Sequence, residues 1–220
     1  RSIFLYVTIV IAIAILLAFI QNALYPTSSP FFIPSNLLGE KAYRFNIFEA
    51  EPRLILSRIN LLLRHFTLFD IVAPRPLVLM DEVGCTFPCF QTYYKYRGVY
   101  VISSYIGFGS LLARSWFIAL MLAGGLYVWK LVKSPRATHL QSTLLLIVLF
   151  NFVLHLFYGD DPMLYSPDWT YAVVFFFGIS YEKFAGKKSF QALLLVFLVS
   201  LLVNNLDLFR KLLEAISPFV

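Results

Sequence analysis

Five stretches of this chain stay apolar for about the length that a lipid bilayer demands, near residues 2–20, 112–131, 140–157, 168–181 and 189–206. A helix needs roughly 20 apolar residues, at about 1.5 Å each, to cross about 30 Å of hydrocarbon. Lipid offers the backbone no hydrogen-bonding partners, so only helices and closed barrels span it, and unbroken runs without alternation exclude the barrel. Composition points the same way, with 60% of the 220 residues hydrophobic and 14% charged. The fourth stretch is short, but Tyr165, Trp169 and Tyr181 flank it, and such aromatics anchor at the lipid–water boundary. The expected fold is an all-α integral membrane protein with about five transmembrane helices and an extracytoplasmic cap bearing amphipathic interface helices. The first run is long for a signal peptide and no A-x-A pattern follows it, so it reads as a retained span. A chain that opens on Arg1 reads as processed or as a piece of a longer polypeptide.

Orientation follows from the basic residues, because short cytoplasmic connections keep the positive excess. Lys130, Lys133 and Arg136 lie after the second run, and Lys183, Lys187 and Lys188 after the fourth. The remaining short connection, YGDDPMLYSPDW, holds three acids and no base. It falls outside together with residues 21–111, which places the N-terminus in the cytoplasm and the C-terminus outside, in what would be a bacterial inner membrane. The net charge of +6 is accounted for by this topology, and no nucleic-acid partner is expected.

The chain therefore divides into a first transmembrane helix (1–20), a cap loop (21–111), a four-helix transmembrane bundle (112–206) and a C-terminal interface helix (207–220). Within the cap, PRLILSRINLLLRHF (52–66) opens on Pro at a first helical position and follows Glu49 and Glu51, which suit a helix N-terminus. Arg53, Ser57, Asn60 and Arg64 form one stripe and Ile55, Ile59, Leu62 and Phe66 the other, as in an interface helix. The apolar run from Val99 to Val132 is too long for one straight span; a break near Gly107 or Gly109 leaves an interfacial or re-entrant piece first and sets Arg114 at the outer boundary, where its stem can snorkel. At the C-terminus, Asp207 with Lys211 and Arg210 with Glu214 stand at helical i, i+4 spacing.

Candidate chemistry collects on the outer face, where Arg53, Arg58, Arg64, Arg114, His65 and His155 share a surface with Asp160, Asp161 and Asp168. Arginine grips phosphate through a planar fork and a carboxylate can take a proton, so this mixture suits a lipid-linked phosphate and a hydroxyl. The same residues also have plainer uses. Asp160 and Asp161 fit a tight Gly–Pro turn, Asp168 an N-cap, and Asn151, Asn204 and Asn205 hydrogen bonds between helices. Cys85 and Cys89 form a C-x3-C pair that lacks the ligand set of a structural zinc site; outside the cytoplasm they are either a local disulfide or two free thiols. No metal or cofactor is called for. Ion transport is disfavoured because the apolar runs carry almost no ionisable groups.

The stretch YGDDPMLYSPDW resembles a segment in the later half of bacterial multi-pass proteins related to glycosyltransferases of fold C, over about residues 140–185. The resemblance implies transfer of a sugar from a polyprenyl-phosphate donor at the extracytoplasmic face. On that expectation the residues of this chain assigned to the site are Asp160 and Asp161, as catalytic candidates that orient sugar or acceptor hydroxyls, Arg53, Arg64 and Arg114 on the phosphate, and His155 and Asp168 in support. That family carries a catalytic acid in its first outer loop, whereas QNALYPTSSPFF has none before Glu40. The alternative is a non-catalytic integral subunit packed against a larger membrane complex, which an apolar bundle with 23 Phe and 13 Tyr would suit.

Overall fold

The computed structural model describes residues 2–24, 45–75, 77–79, 89–159 and 162–217, which fall into two units, residues 1–44 and 45–220. The first holds one helix, α1 (Ser2–Leu24), with an apolar stretch Thr8–Gln21 that leaves nearly all its side chains exposed. The second opens with α2 (Pro52–Arg64), continued by a π-helical turn, His65–Phe69. Two short antiparallel ribbons follow, β1 (Leu77–Leu79) on β2 (Cys89–Gln91) and β3 (Tyr93–Tyr96) on β4 (Val99–Ile102). The two-residue turn between β3 and β4, Arg97–Gly98, has both φ angles positive, at 46° and 76°, which suits the twist of a hairpin. Four helices complete the unit: α3 (Gly107–Lys133), α4 (His139–Phe157), α5 (Pro167–Ser180) and α6 (Lys188–Ile216).

Among the described residues three segments are long and apolar enough to cross a membrane, namely Gly107–Lys133, Pro135–Phe157 and Lys188–Glu214. Helix α5 has 14 residues and rises about 21 Å, short of the hydrocarbon thickness. Polar ties show how the helices alternate. At one end Gln141 Nε2 donates to Ser180 Oγ (3.0 Å) and Lys130 Nζ to Glu182 Oε1 (2.9 Å). Toward the other, Asn151 Nδ2 bonds the Asp168 carbonyl (3.4 Å), and α3 passes α6 so closely that a Cβ on Gly109 would lie 2.8 Å from Asn204 Oδ1. Between the ends, Leu112, Trp116, Leu120 and Val173 form one apolar core and Ala123, Leu144, Ala172 and Phe176 another. The outward faces are apolar and exposed, as for Phe150 and Leu195, and lipid is the environment they fit.

The cap is hung on this bundle by buried polar groups. A helix leaves its last four carbonyls without partners inside the helix, and at the end of α4 every one is met. Leu154 accepts from the Tyr158 N–H (2.9 Å) and Phe157 from the Phe45 N–H (2.9 Å). His155 and Leu156 accept from the Arg58 guanidinium, at 2.8 and 3.0 Å, and Arg58 also donates to the Gly159 carbonyl (2.8 Å) and the Tyr100 hydroxyl (3.2 Å). Gly159 holds φ at +85° under the Tyr165 ring, which a Cβ would approach to 2.9 Å. On α6, Asn205 accepts from the Ala73 N–H (3.0 Å) and donates to the Ile71 carbonyl (3.1 Å), while Asn204 donates to the Ala73 carbonyl (3.1 Å).

Several expectations change. The buried face of α2 and its π-turn comprises Arg58, Leu61, Leu62, His65 and Phe66, rotated from the apolar stripe read in sequence, because Arg58 is drawn inward by the α4 carbonyls. The opposite stripe is not a uniform headgroup-facing surface: Ser57 accepts from the Tyr100 N–H (3.1 Å) and Arg64 donates to the Ser103 carbonyl (3.2 Å), so β4 covers part of it. The piece ahead of Gly107 is a β-hairpin and not an interfacial or re-entrant helix, while α3 begins at Gly107, where the sequence sets the break, and carries Arg114 exposed two helical turns in. Helix α6 runs unbroken through residue 207, since the pairs Asp207–Lys211 (2.5 Å) and Arg210–Glu214 (3.7 Å) support the helix across that position. Asn204 and Asn205, expected to bridge helices, bond the backbone of the 71–73 turn.

Replacing Arg58 with Met keeps the length of the side chain but strips the α4 carbonyls of a charged donor. Hydrogen bonds to charged groups contribute about 1.5–3 kcal/mol each, so Arg58→Met should cost about 3 kcal/mol or more, read as a large fall in thermal midpoint of the detergent-solubilised protein. Gly159→Ala should cost about 1–2 kcal/mol from the left-handed backbone alone, before the Tyr165 clash.

Candidate functional site

The most polar buried cluster lies where the π-turn crosses the starts of α3 and α5. An α-helix advances about 100° per residue, so residues five apart point about 140° away from each other; the wider i→i+5 ring of a π-turn brings them to one side. That turn sets His65 Nδ1 3.4 Å from Asp70 Oδ1. The other ring nitrogen, Nε2, lies 3.0 Å from Thr92 Oγ1, at the bend between β2 and β3. Asp70 Oδ2 accepts from Trp169 Nε1 (2.8 Å). The result is a chain of carboxylate, imidazole and hydroxyl, with His65 wholly buried and the Asp70 side chain 5% exposed.

Apolar packing holds the chain in place. Phe66 stacks on Trp169 with centroids 3.9 Å apart, His65 meets the edge of Phe69 at 5.0 Å, and Trp116 Nε1 donates to the Thr67 carbonyl (2.7 Å). Burial pushes the Asp70 carboxyl above its usual range, and the contacts from His65, Trp169 and Thr170 oppose this only in part. Tyr105, whose hydroxyl donates to the Val72 carbonyl (2.8 Å), has its phenol raised by burial and then by the Asp70 charge.

One cavity adjoins these residues, and a larger one adjoins that cavity. The smaller, about 90 Å³, is lined by His65, Asp70, Thr92, Phe69, Met163 and Leu212 among others, and has room for about three waters at roughly 30 Å³ each. The larger, about 470 Å³, shares Ala73, Pro74 and Leu208 with it. Its wall combines Arg75, Asp207 and Lys211 with Ile106, Phe108 and Val203 from the ends of the spanning helices. A basic rim over an apolar flank suits an amphiphile with an anionic head.

The sequence-derived candidates are dispersed. Asp160, Asp161 and Cys85 lie outside the described residues, while Cys89 opens β2. The acidic turn's neighbours do reach the region: Gly159 is buried against Arg58, and Met163 lines the smaller cavity. Asp168 does not cap α5, which begins at Pro167 after Ser166; it sits exposed in the first turn, where its charge suits the helix N-terminus. His155 is 3% exposed, with Nδ1 3.3 Å from the Tyr158 carbonyl, its ring between Tyr165 and Trp169, and Nε2 without a hydrogen-bond partner. Arg53 and Arg114 are exposed, and Arg64 is engaged by Ser103. Arg53 and Arg64 stand eleven positions apart on α2, about 16 Å along its axis, so they do not form one phosphate fork.

Sequence reasoning passed over Asp70, Thr92, Arg75 and Trp169 as site residues. The one available signal was Asp70 itself, a lone acid in the apolar segment HFTLFDIV. Among the described residues no three His, Cys, Asp or Glu side chains gather as a metal site. No protein-family model matches the chain, and neither a curated protein nor a solved structure matches it.

The raised Asp70 carboxyl has a signed consequence. An acid that holds its proton more tightly when folded stabilises the fold below the ordinary carboxylate pKa of about 4, and this is lost as pH rises through the raised value. Asp70→Asn keeps an acceptor for Trp169 and cannot ionise. Its stability relative to wild type should therefore shift in the variant's favour as pH climbs through that window, in thermal melts at matched ionic strength. A difference that stays constant with pH would show that Asp70 does not titrate there.

Proposed function

We propose that the chain is a membrane-embedded transferase, with α1 and α5 completing five spans, that moves a sugar from a polyprenyl-phosphate donor at the extracytoplasmic end of the bundle. The single observation that carries this reading is the amphipathic cleft of about 470 Å³, lined by Arg75, Asp207 and Lys211 together with Phe108, Val203 and Leu208, which shares Ala73, Pro74 and Leu208 with the smaller cavity beside the buried Asp70–His65 pair. A phosphate would lie against the cations, where charge-assisted hydrogen bonds are strongest, and the isoprenoid would run down the apolar flank into lipid. Lys211 is already paired with Asp207, so a bound anion would have to share it. Asp160 and Asp161 keep their proposed role of orienting sugar or acceptor hydroxyls.

A second reading, a non-catalytic subunit, is favoured by α6, whose spanning segment has no buried residue and offers the side turned away from α3 to lipid or to another chain. Donor binding separates the two. Purified protein in nanodiscs should bind radiolabelled undecaprenyl phosphate, and Arg75→Ala and Lys211→Ala should each weaken binding about tenfold, corresponding to roughly 1.4 kcal/mol. Saturable binding that neither substitution changes would remove the cleft from the reading, and no binding at all would favour the subunit.

A further inference from the structure

The cleft explains how a donor could be held but leaves the proton of the incoming hydroxyl unassigned. Attack by an alcohol or by water on a sugar carbon needs a base within about 3 Å of that proton. His65 fits such a base, since Nδ1 lies 3.4 Å from Asp70 Oδ1, Nε2 lies 3.0 Å from Thr92 Oγ1, and both His65 and Thr92 line the smaller cavity. A neutral imidazole has one donor and one acceptor nitrogen, and a carboxylate beside Nδ1 fixes the proton there, which leaves Nε2 as the acceptor. A purely structural histidine could bond backbone carbonyls at no electrostatic cost. Here the ring instead touches two groups able to exchange protons, one of them a carboxyl whose side chain is 5% exposed.

Resting on the transferase reading, we propose that His65 is the catalytic base for the acceptor, that Asp70 positions it, and that Thr92 Oγ1 marks where the acceptor hydroxyl docks. In the step, the acceptor oxygen forms a bond to the anomeric carbon while its proton passes to Thr92 Oγ1, whose own proton moves to His65 Nε2. The bond from that carbon to the phosphate oxygen breaks, and its electron pair leaves with the polyprenyl phosphate, whose added charge faces Arg75 and Lys211. The imidazolium formed is stabilised by the Asp70 carboxylate. The Tyr105 phenol feels the Asp70 charge, and Arg64 acts on Tyr105 in turn, so both belong to the same electrostatic neighbourhood.

The test uses the full chain in nanodiscs, a panel of tritiated hexosyl undecaprenyl phosphates, and water plus octyl glucoside as acceptors. Wild-type turnover should rise with pH as one group loses its proton. His65→Gln should lower turnover 100-fold or more, leave the donor KM unchanged and erase that rise. Asp70→Asn, which keeps the shape of the side chain but removes the anion beside Nδ1, should move that rise and leave the donor KM unchanged. If His65→Gln fails to fold, the Asp70→Asn shift decides the matter alone. Turnover with an unmoved profile in the variants overturns the base assignment and leaves the transferase reading in place. Donor binding without any turnover does the same. A wild-type chain that neither binds nor cleaves the donors overturns the reading, and the assignment with it.

Discussion

The guanidinium of Arg58 ends a helix to which it does not belong. It lies on α2, 98 positions from the Leu156 carbonyl it bonds, and its two nitrogens toward α4 serve carbonyls that no residue inside that helix could reach. A buried cation with fewer partners would be costly, but this one has three carbonyls, a phenol hydroxyl and the Phe45 ring 4.5 Å from its carbon. The contact fixes the rotation of α2, and that rotation turns His65 and Phe66 inward. The side of the junction that α2 supplies takes its geometry from this one side chain.

A second constraint works from the other side of the turn. Asn204 and Asn205 grip the backbone of residues 71–73, so Asp70 is held between a helix that Arg58 orients and a turn that α6 clamps. The neutral amides do in lipid-facing surroundings what charges could do only at much greater desolvation cost. With both ends fixed, the π-turn becomes the shortest path between them, and its wide ring aligns His65 with Asp70. A site that depends on two clamps can be well ordered without being exposed.

Much of the architecture was legible before any coordinates. The apolar runs of α3, α4 and α6, the Pro52 start of α2, and the ion pairs of the last helix follow from local rules of length, period and spacing. The site was not legible in the same way. Arg58, Arg64 and Arg114 look alike in sequence, yet one is a buried helix cap, one is engaged by a hairpin and one is exposed. His65 and Asp70, five apart, do not share an α-helical face, so periodic reasoning separates the pair that the fold unites. Thr92 and Trp169 carry no local signature at all; they join because strands and helices distant in the chain meet there.

By itself, the sequence determined that this chain is helical and apolar enough for a membrane, because a spanning helix satisfies its own backbone and needs only a sufficient run of suitable side chains. Tertiary structure alone decided which polar residues are buried together, because a hydrogen bond between side chains distant in sequence depends on the rotation and depth of whole helices. Those are set by packing and by a few buried donors such as Arg58, and no periodicity in the chain encodes them.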